Sequence, residues 1–229
     1  MEPGESSLGT ILSWCWALAS SARDGIETPS SLKEALKGPQ ASHWQAAADK
    51  EMQAIKDFGV IGPSPMDLPP GRTTVDSKMV LKIKRHQDGS IERYKCRLVA
   101  RGFSQVKGED YSETFSSVGK WATIRLLLAL AVILGWEVEV CDVDNAFLNS
   151  TLNEEVYVKQ PAGLDDGTGR VYRINKALYG LKQAPRTWEQ NLGGFLSKRG
   201  FKRCVSDQAL YTRHDKRGLS MVLIYVDDL

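Results

Sequence analysis

The sequence predicts an α+β fold, and three observations carry that prediction. Apolar residues recur every three or four positions from Trp44 to Phe58 and again from Trp188 to Leu196, the spacing of amphipathic helices. Two extended runs between Met79 and Val99 flank Gln87-Asp88-Gly89-Ser90, in which Asp-Gly is a strong hairpin signal. A β-rich run from Leu219 to Val226 ends in two adjacent aspartates. With 42% hydrophobic residues over 229 positions, the chain has enough apolar surface for a sizeable core.

In chain order, residues 1–41 mix Ser, Gly, Pro and acidic groups and read as a largely disordered linker, with a short amphipathic turn from Ser31 to Leu36. The apolar stretch from Leu8 to Ala19 is too short to span a bilayer, and acidic Glu2 and Glu5 precede it where a secretory signal would carry basic residues. Order is expected from 42 to 229. Ser42 is placed to cap the first helix, which carries Trp44, Ala48, Met52, Ile55 and Phe58 on one face and stops at Gly59. The Pro- and Gly-rich residues 62–71 form a loop.

In the hairpin that follows, period-two alternation puts Lys82 and Lys84 on one face of the first strand, and Arg93, Lys95 and Arg97 on one face of the second. Residues 121–134 are apolar nearly all round, which predicts a buried helix ended by Gly135. A strand is expected from Trp136 to Val143, carrying Asp142 onto its otherwise apolar face. Pro185 suits the first turn of another helix, with Trp188, Leu192, Phe195 and Leu196 inward and Gly200 as its stop.

Charge is uneven. Residues 1–70 carry 5 Lys/Arg against 9 Asp/Glu, and residues 71–229 carry 25 against 19. Residues 72–107 alone hold ten basic side chains and three acidic ones, a field that attracts a polyanion or a triphosphate. A solvated basic hairpin has the same composition, and edge-strand lysines also discourage aggregation. The four cysteines and three histidines show no zinc-ligand spacing, and a reducing intracellular compartment fits them best; cytoplasm and nucleus are not distinguished.

The chemistry lies in the acidic strand ends. Asp142 and the Asp227/Asp228 pair stand some eighty residues apart, each after apolar strand sequence. Carboxylates without His or Cys suit Mg²⁺, which keeps water and substrate phosphates as its other ligands. If the two strands share a sheet, the carboxylates could hold two metals about 3.5–4 Å apart for in-line phosphoryl transfer. Taken singly, each Asp could equally cap a turn.

Longer blocks decide between these readings. Arg93-Tyr94-Lys95-Cys96-Arg97-Leu98-Val99-Ala100-Arg101-Gly102-Phe103-Ser104-Gln105 and Asp110-Tyr111-Ser112-Glu113-Thr114-Phe115-Ser116 resemble the fingers of copia-type retrotransposon reverse transcriptases. The same family is resembled by Asp142-Val143-Asp144-Asn145-Ala146-Phe147-Leu148-Asn149, by Glu154-Glu155-Val156-Tyr157-Val158 and by Gln160-Pro161-Ala162-Gly163. Leu178-Tyr179-Gly180-Leu181-Lys182-Gln183-Ala184-Pro185-Arg186-Thr187-Trp188 is the most family-specific block, and Tyr225-Val226-Asp227-Asp228 matches the polymerase signature. The resemblance covers residues 42–229.

It implies an RNA-directed DNA polymerase module of a Pol polyprotein, with a right-hand fold: fingers at about 42–120 and a ferredoxin-like palm, truncated at its C-terminus, at about 121–229. Asp142, Asp227 and Asp228 would be catalytic and would hold two Mg²⁺, with Mn²⁺ as a substitute. Phe147, five residues after Asp142, falls where the family has the aromatic that rejects a ribose 2′-hydroxyl. Lys95 and Arg97 would hold the incoming triphosphate, and Lys82, Lys84 and Arg101 the template phosphates. Gly180 and Gln183, in the loop before the Pro185 helix, would touch the nascent base pair or the template, or serve turn geometry.

The implied partners are an RNA or DNA template-primer and deoxynucleoside triphosphates, without a membrane. The thumb and RNase H domain of the polyprotein lie outside this sequence. Cys96 in place of the family's small Ala, Ser117-Val118-Gly119-Lys120 and Cys141 are departures that remove no catalytic group. Because the sequence stops just after the Asp-Asp pair, the isolated chain is expected to have little polymerase activity. The competing expectation is a catalytically inactive, truncated remnant that only binds nucleic acid.

Overall fold

The computed structural model describes residues 25–216 and 218–226. These residues form helices and strands in a mixed α+β arrangement, divided into two compact units: residues 25–52 with 79–98, and residues 53–78 with 99–226. The readings of residues 1–24 lie outside the described residues.

The first unit holds helix α1 (Leu32–Ala35), most of helix α2 (Ala41–Asp57) and most of the hairpin of β1 (Ser77–Arg85) and β2 (Ile91–Ala100). Helix α1 lies within the short amphipathic turn expected from Ser31 to Leu36. Ser31 caps α1 by accepting the Glu34 N–H, and Leu32 and Ala35 are buried. Helix α2 already includes Ala41, so Ser42 sits in its first turn and does not cap it.

Trp44 anchors this unit. It is buried, meets the Tyr94 ring edge-on at 4.8 Å, and its carbonyl lies 3.9 Å from the Cys96 Sγ. Burial, and then the Glu51 charge, push the Cys96 thiol up to about 11, so this cysteine is an inert core group. At the hairpin tip Gly89 takes φ +88°, and the Asp88 carboxylate accepts the Ser90 N–H and hydroxyl.

Glu51 Oε1 accepts the Leu98 N–H at 3.0 Å. Burial lifts its carboxyl above the usual range against the opposing pull of that N–H, Arg97 and Lys95. The folded value lies above the unfolded one, so this contribution to stability is fully present below the unfolded value and is lost as pH rises through the folded value. Glu51→Gln keeps an acceptor for Leu98 and removes the buried charge. It is expected to raise the melting midpoint at pH 7 and to narrow the difference in stability between pH 4 and pH 7. Circular dichroism melts check both, and a lower midpoint at pH 7 would contradict the assignment.

The second unit contains helix α3 (Trp121–Leu134), the antiparallel pair β3 (Thr151–Lys159) and β4 (Val171–Lys176), and helix α4 (Ala184–Lys198). It ends in a three-stranded antiparallel sheet of β5 (Lys202–Arg203), β6 (Leu210–Asp215) and β7 (Gly218–Leu223). The Pro-rich loop runs beside β4, with single bridges Ile61 to Ile174 and Met66 to Val171, and Val75 bridges Val158 of β3. Trp188, Leu192 and Leu196 of α4 form a core with Ala146, Ala209, Tyr211 and Ile224. Phe195, expected on the same helix face, is 48% exposed.

Two sequence expectations fail here. Helix α3 has the predicted span and ends at Gly135 with φ +65°, but of its residues only Ala131 is buried. Leu126, Leu128, Val132, Ile133 and Leu134 are exposed. Apolarity reports what a helix could bury, whereas burial needs a neighbouring surface, and among the described residues none covers this face.

Residues 136–141 likewise form no strand. Val138 and Val140 are exposed, and among the described residues the backbone has no ladder partner; within 136–143 only Asp142 occupies a single bridge position. Strand propensity without a pairing edge leaves an extended, hydrated segment. Among the described residues no helix is long and apolar enough to cross a membrane.

Candidate active site

Asp142, Phe147 and Val226, of the blocks expected to carry the chemistry, fall in the second unit. Asp142 lies between α3 and a 3₁₀ turn, Ala146–Asn149. It is exposed, not on a buried strand face, and among the described residues its carboxylate has no hydrogen-bond or ion-pair partner. Asn145 takes φ +53°, a left-handed conformation that asparagine tolerates, and turns the chain into the 3₁₀ segment. Ala146 and Leu148 are buried there, and Phe147 is half-buried.

The Phe147 ring meets Tyr179 edge-on, with centroids 5.0 Å apart. It lines a shallow depression with Val118, Pro185, Trp188, Ile224 and Val226. The first catalytic block and the Tyr225-Val226 turn therefore share one surface. Asp227 and Asp228 lie outside the described residues. Among the described residues no three His, Cys, Asp or Glu side chains cluster around a metal position. A donor set of carboxylate oxygens would fit a hard cation, and among the described residues no partner occupies the Asp142 carboxylate.

The Leu178–Trp188 block is a brace. The Ala100 N–H donates to the Tyr179 carbonyl at 2.8 Å, drawing the end of β2 onto the loop. Gly180 has φ +87°, and a Cβ there would lie 2.1 Å from the Ala100 carbonyl oxygen; a Cβ on Gly102 would lie 2.2 Å from the Gly180 carbonyl oxygen. Gln183 is buried, its amide donating to the Asp110 carbonyl at 2.8 Å and accepting from Gln105 Nε2 at 3.0 Å. This is the geometry by which Gly180 and Gln183 hold the loop.

Lys182 donates its backbone N–H to Gln105 Oε1, and its ammonium lies 4.8 Å from the Tyr111 ring centroid. This polar brace is invisible to periodicity. The only sequence signal for it is a pair of glutamines inside otherwise apolar or turn-forming blocks.

The basic residues divide between the units. Arg101, in the second unit, is exposed and holds its guanidinium 5.3 Å from the ring centroid of Phe103. In the first unit, burial and then the charges of Arg97, Arg93 and Lys84 hold the Lys95 ammonium below the usual lysine range. These cations therefore lie within electrostatic reach of one another. Lys82 is exposed on β1.

Sequence reasoning missed two site residues. Trp188 was read only as core, yet its indole N–H donates to the Val226 carbonyl at 2.7 Å. A buried tryptophan needs a partner for that N–H, which is the signal that could have found it. Asp207 was not singled out. It accepts the Lys120 N–H at 3.0 Å, the Thr123 hydroxyl at 2.5 Å and the Ala209 N–H at 3.1 Å, tethering the start of α3 beside the sheet. Burial alone would raise its carboxyl, and these hydrogen bonds outweigh it and hold it below the usual range.

Residues 64–229 match the family model described as reverse transcriptase (RNA-dependent DNA polymerase). Over 93% of its length the chain is similar to the retrovirus-related Pol polyprotein from transposon RE2 of Arabidopsis thaliana, at 38% identity. It is also similar, at 39% identity over 88% of the chain, to that from transposon TNT 1-94 of Nicotiana tabacum, and at 40% over 86% to that from transposon RE1 of Arabidopsis thaliana. The chain spans 16%, 15% and 14% of the lengths of these curated relatives. The catalytic blocks in their order, the surface shared by Phe147 and Val226, and these similarities together place the chain in the reverse transcriptase family, in the form found in the Pol polyproteins of copia-type transposons.

Proposed function

We propose that the chain is the RNA-directed DNA polymerase module of a copia-type Pol polyprotein and transfers deoxynucleotides to a primer on an RNA or DNA template. The observation that carries this reading is the depression lined by both Phe147 and Val226, five residues after Asp142 and one before Asp227. Asp142, Asp227 and Asp228 are the ligands of two Mg²⁺. Held there, Mg²⁺ would supply Lewis-acid activation of a primer 3′-hydroxyl and charge stabilisation for the pyrophosphate. The exposure of Asp142 supports the assignment, since a carboxylate tied up in ion pairs would have less to offer a metal.

Within this reading, Lys95 and Arg97 take the triphosphate, while Lys82, Lys84 and Arg101 contact template phosphates. In this reading the fingers take in residues about 42–120 and the palm residues about 121–229. Thumb and RNase H functions would come from the rest of a Pol polyprotein, and the work would be done inside the cell, where the triphosphates are. The basic hairpin favours a second reading, a nucleic-acid-binding remnant without catalysis. Binding that falls steeply with salt and ignores Mg²⁺ would support it.

Phe147 gives the sharper test. Its ring is braced by Tyr179, so it can stand as a fixed wall beside the sugar of an incoming nucleotide. Phe147→Ala is expected to raise ribonucleotide incorporation relative to deoxynucleotide by about 10²-fold, the range that a lost steric or pocket contact provides. Primer extension with each nucleotide set, by the chain alone or within a longer polyprotein, measures the ratio. An unchanged ratio in an active Phe147→Ala protein would sink the steric role.

A further inference from the structure

We infer that the Phe103 ring, with the Arg101 guanidinium over it, is a stacking platform for an unpaired base of the template strand. This rests on the reading of the chain as a template-directed polymerase and names the side chain that takes the base.

The 3₁₀ turn Gly102–Ser104 inverts the usual order of burial. Gly102 is buried and Gln105 is 5% exposed, while Phe103 between them is 75% exposed. Burying a phenylalanine is among the larger single gains open to a fold, and this turn forgoes it. One exposed apolar residue is ordinary on a protein surface. An aromatic turned outward beside a buried glutamine is a local rule broken, the pattern expected at a binding site.

The backbone that presents the ring is fixed from two sides. The Arg101 N–H donates to the Asp76 carbonyl at 2.7 Å, and the Ser104 hydroxyl donates to the Arg101 carbonyl at 2.8 Å and accepts the Asp76 N–H at 3.3 Å. On the other side, a Cβ on Gly102 would lie 2.2 Å from the Gly180 carbonyl oxygen, and Gln105 Nε2 donates to Gln183 at 3.0 Å. The turn therefore stands on the same brace as Tyr179, whose ring meets Phe147. A ring already held by its backbone loses little freedom when a flat partner settles on it.

Charge selects the partner. The Arg101 guanidinium lies 5.3 Å from the Phe103 centroid, and among the described residues no carboxylate pairs with it. From Val99 to Gly108 the chain carries Arg101 and Lys107 and no acidic residue. Asp76, whose backbone meets the turn, holds its carboxylate 2.9 Å from the Lys159 ammonium, so that charge is already matched. Beyond the stretch, the Glu109 carboxylate accepts the Thr73 hydroxyl at 3.4 Å. A cation beside an open aromatic face suits a nucleotide, whose base stacks on the ring while its phosphate meets the guanidinium. A base inside a duplex has no free face to offer, so the fit is to the single-stranded part of a template.

The test binds the full chain to primer–template duplexes that differ only in the template overhang. One overhang carries ordinary nucleotides, and the other carries abasic residues with the same phosphates. Fluorescence anisotropy at a fixed salt concentration gives Kd for each with the wild type, Phe103→Ala, Phe103→Leu and Phe103→Trp, and thermal melts are recorded alongside. Leucine keeps the apolar bulk and lacks the flat face.

The wild type is expected to bind the ordinary overhang about tenfold more tightly than the abasic one, as one base stacked on an aromatic side chain provides. That preference should vanish in Phe103→Ala and Phe103→Leu and persist in Phe103→Trp, with melting midpoints unchanged because the side chain is exposed. A wild type indifferent to the bases, or a Phe103→Ala chain that keeps the preference, would overturn the inference and leave binding through phosphates standing. Failure to bind either duplex in a salt-dependent way would instead overturn the nucleic-acid reading, and the role of Phe103 with it.

Discussion

Asp142→Asn is expected to lower nucleotide incorporation by about 10³-fold or more, in line with the loss of a group that stabilises charge only in the transition state. Its thermal midpoint should not change. The two expectations belong together because Asp142 is exposed and, among the described residues, has no protein partner. Nothing in the fold depends on its charge, so removing that charge exposes the chemistry alone. An amide is isosteric and still offers one oxygen, but it lacks the negative charge that holds a divalent cation. Steady-state incorporation with a matched deoxynucleotide, followed by a thermal melt of the same preparation, checks both halves. A large fall in the melting midpoint would show that Asp142 is structural.

Gly180→Ala is expected to do the reverse, damaging the fold before any chemistry can be read. The Cβ would be built 2.1 Å from the Ala100 carbonyl oxygen and 2.6 Å from a Val99 methyl, in a residue already at φ +87°. The left-handed conformation alone costs an alanine roughly 1–2 kcal/mol. The clash adds about 1–3 kcal/mol through backbone displacement, because a carbonyl cannot swing aside as the end of a flexible side chain can. The total approaches a large share of the stability of an ordinary domain. Urea unfolding should show a midpoint well below that of the wild type, or the protein should be recovered insoluble. An unchanged midpoint would mean that the loop and the end of β2 do not meet as described.

How much was legible in the sequence depends on which physical signal each feature leaves. The hairpin around Asp88-Gly89 was legible because its turn requires a residue at positive φ, and Gly89 supplies it. Helix α4 was legible because Pro185 and the spacing of Trp188, Leu192 and Leu196 encode both a start and a buried face. The span of α3 was equally plain, but its burial was not, since an all-round apolar run says nothing about whether a covering surface lies beside it.

The segment after it failed for a related reason: Trp136 to Cys141 alternates as a strand should, yet pairing is decided by a partner elsewhere in the chain. Within the candidate site, the structure places Phe147 and Val226, from two blocks far apart in the sequence, on one surface. The Trp188 anchor and the Gln105–Gln183 brace were not legible, because each joins residues 38 and 78 positions apart through single hydrogen bonds that leave no periodic trace.

The measurement that tests the central claim most directly uses a chain-terminated DNA primer on an RNA template, so that the site can assemble and chemistry cannot follow. The salt resistance of the complex is measured with Mg²⁺ and each of the four deoxynucleoside triphosphates in turn. The account predicts that the nucleotide matching the next template base alone makes the complex resistant to salt, and that this effect disappears without Mg²⁺ and in the Asp142→Asn variant. Equal salt sensitivity with matched, mismatched or no nucleotide would contradict the polymerase reading and leave a protein that only binds nucleic acid.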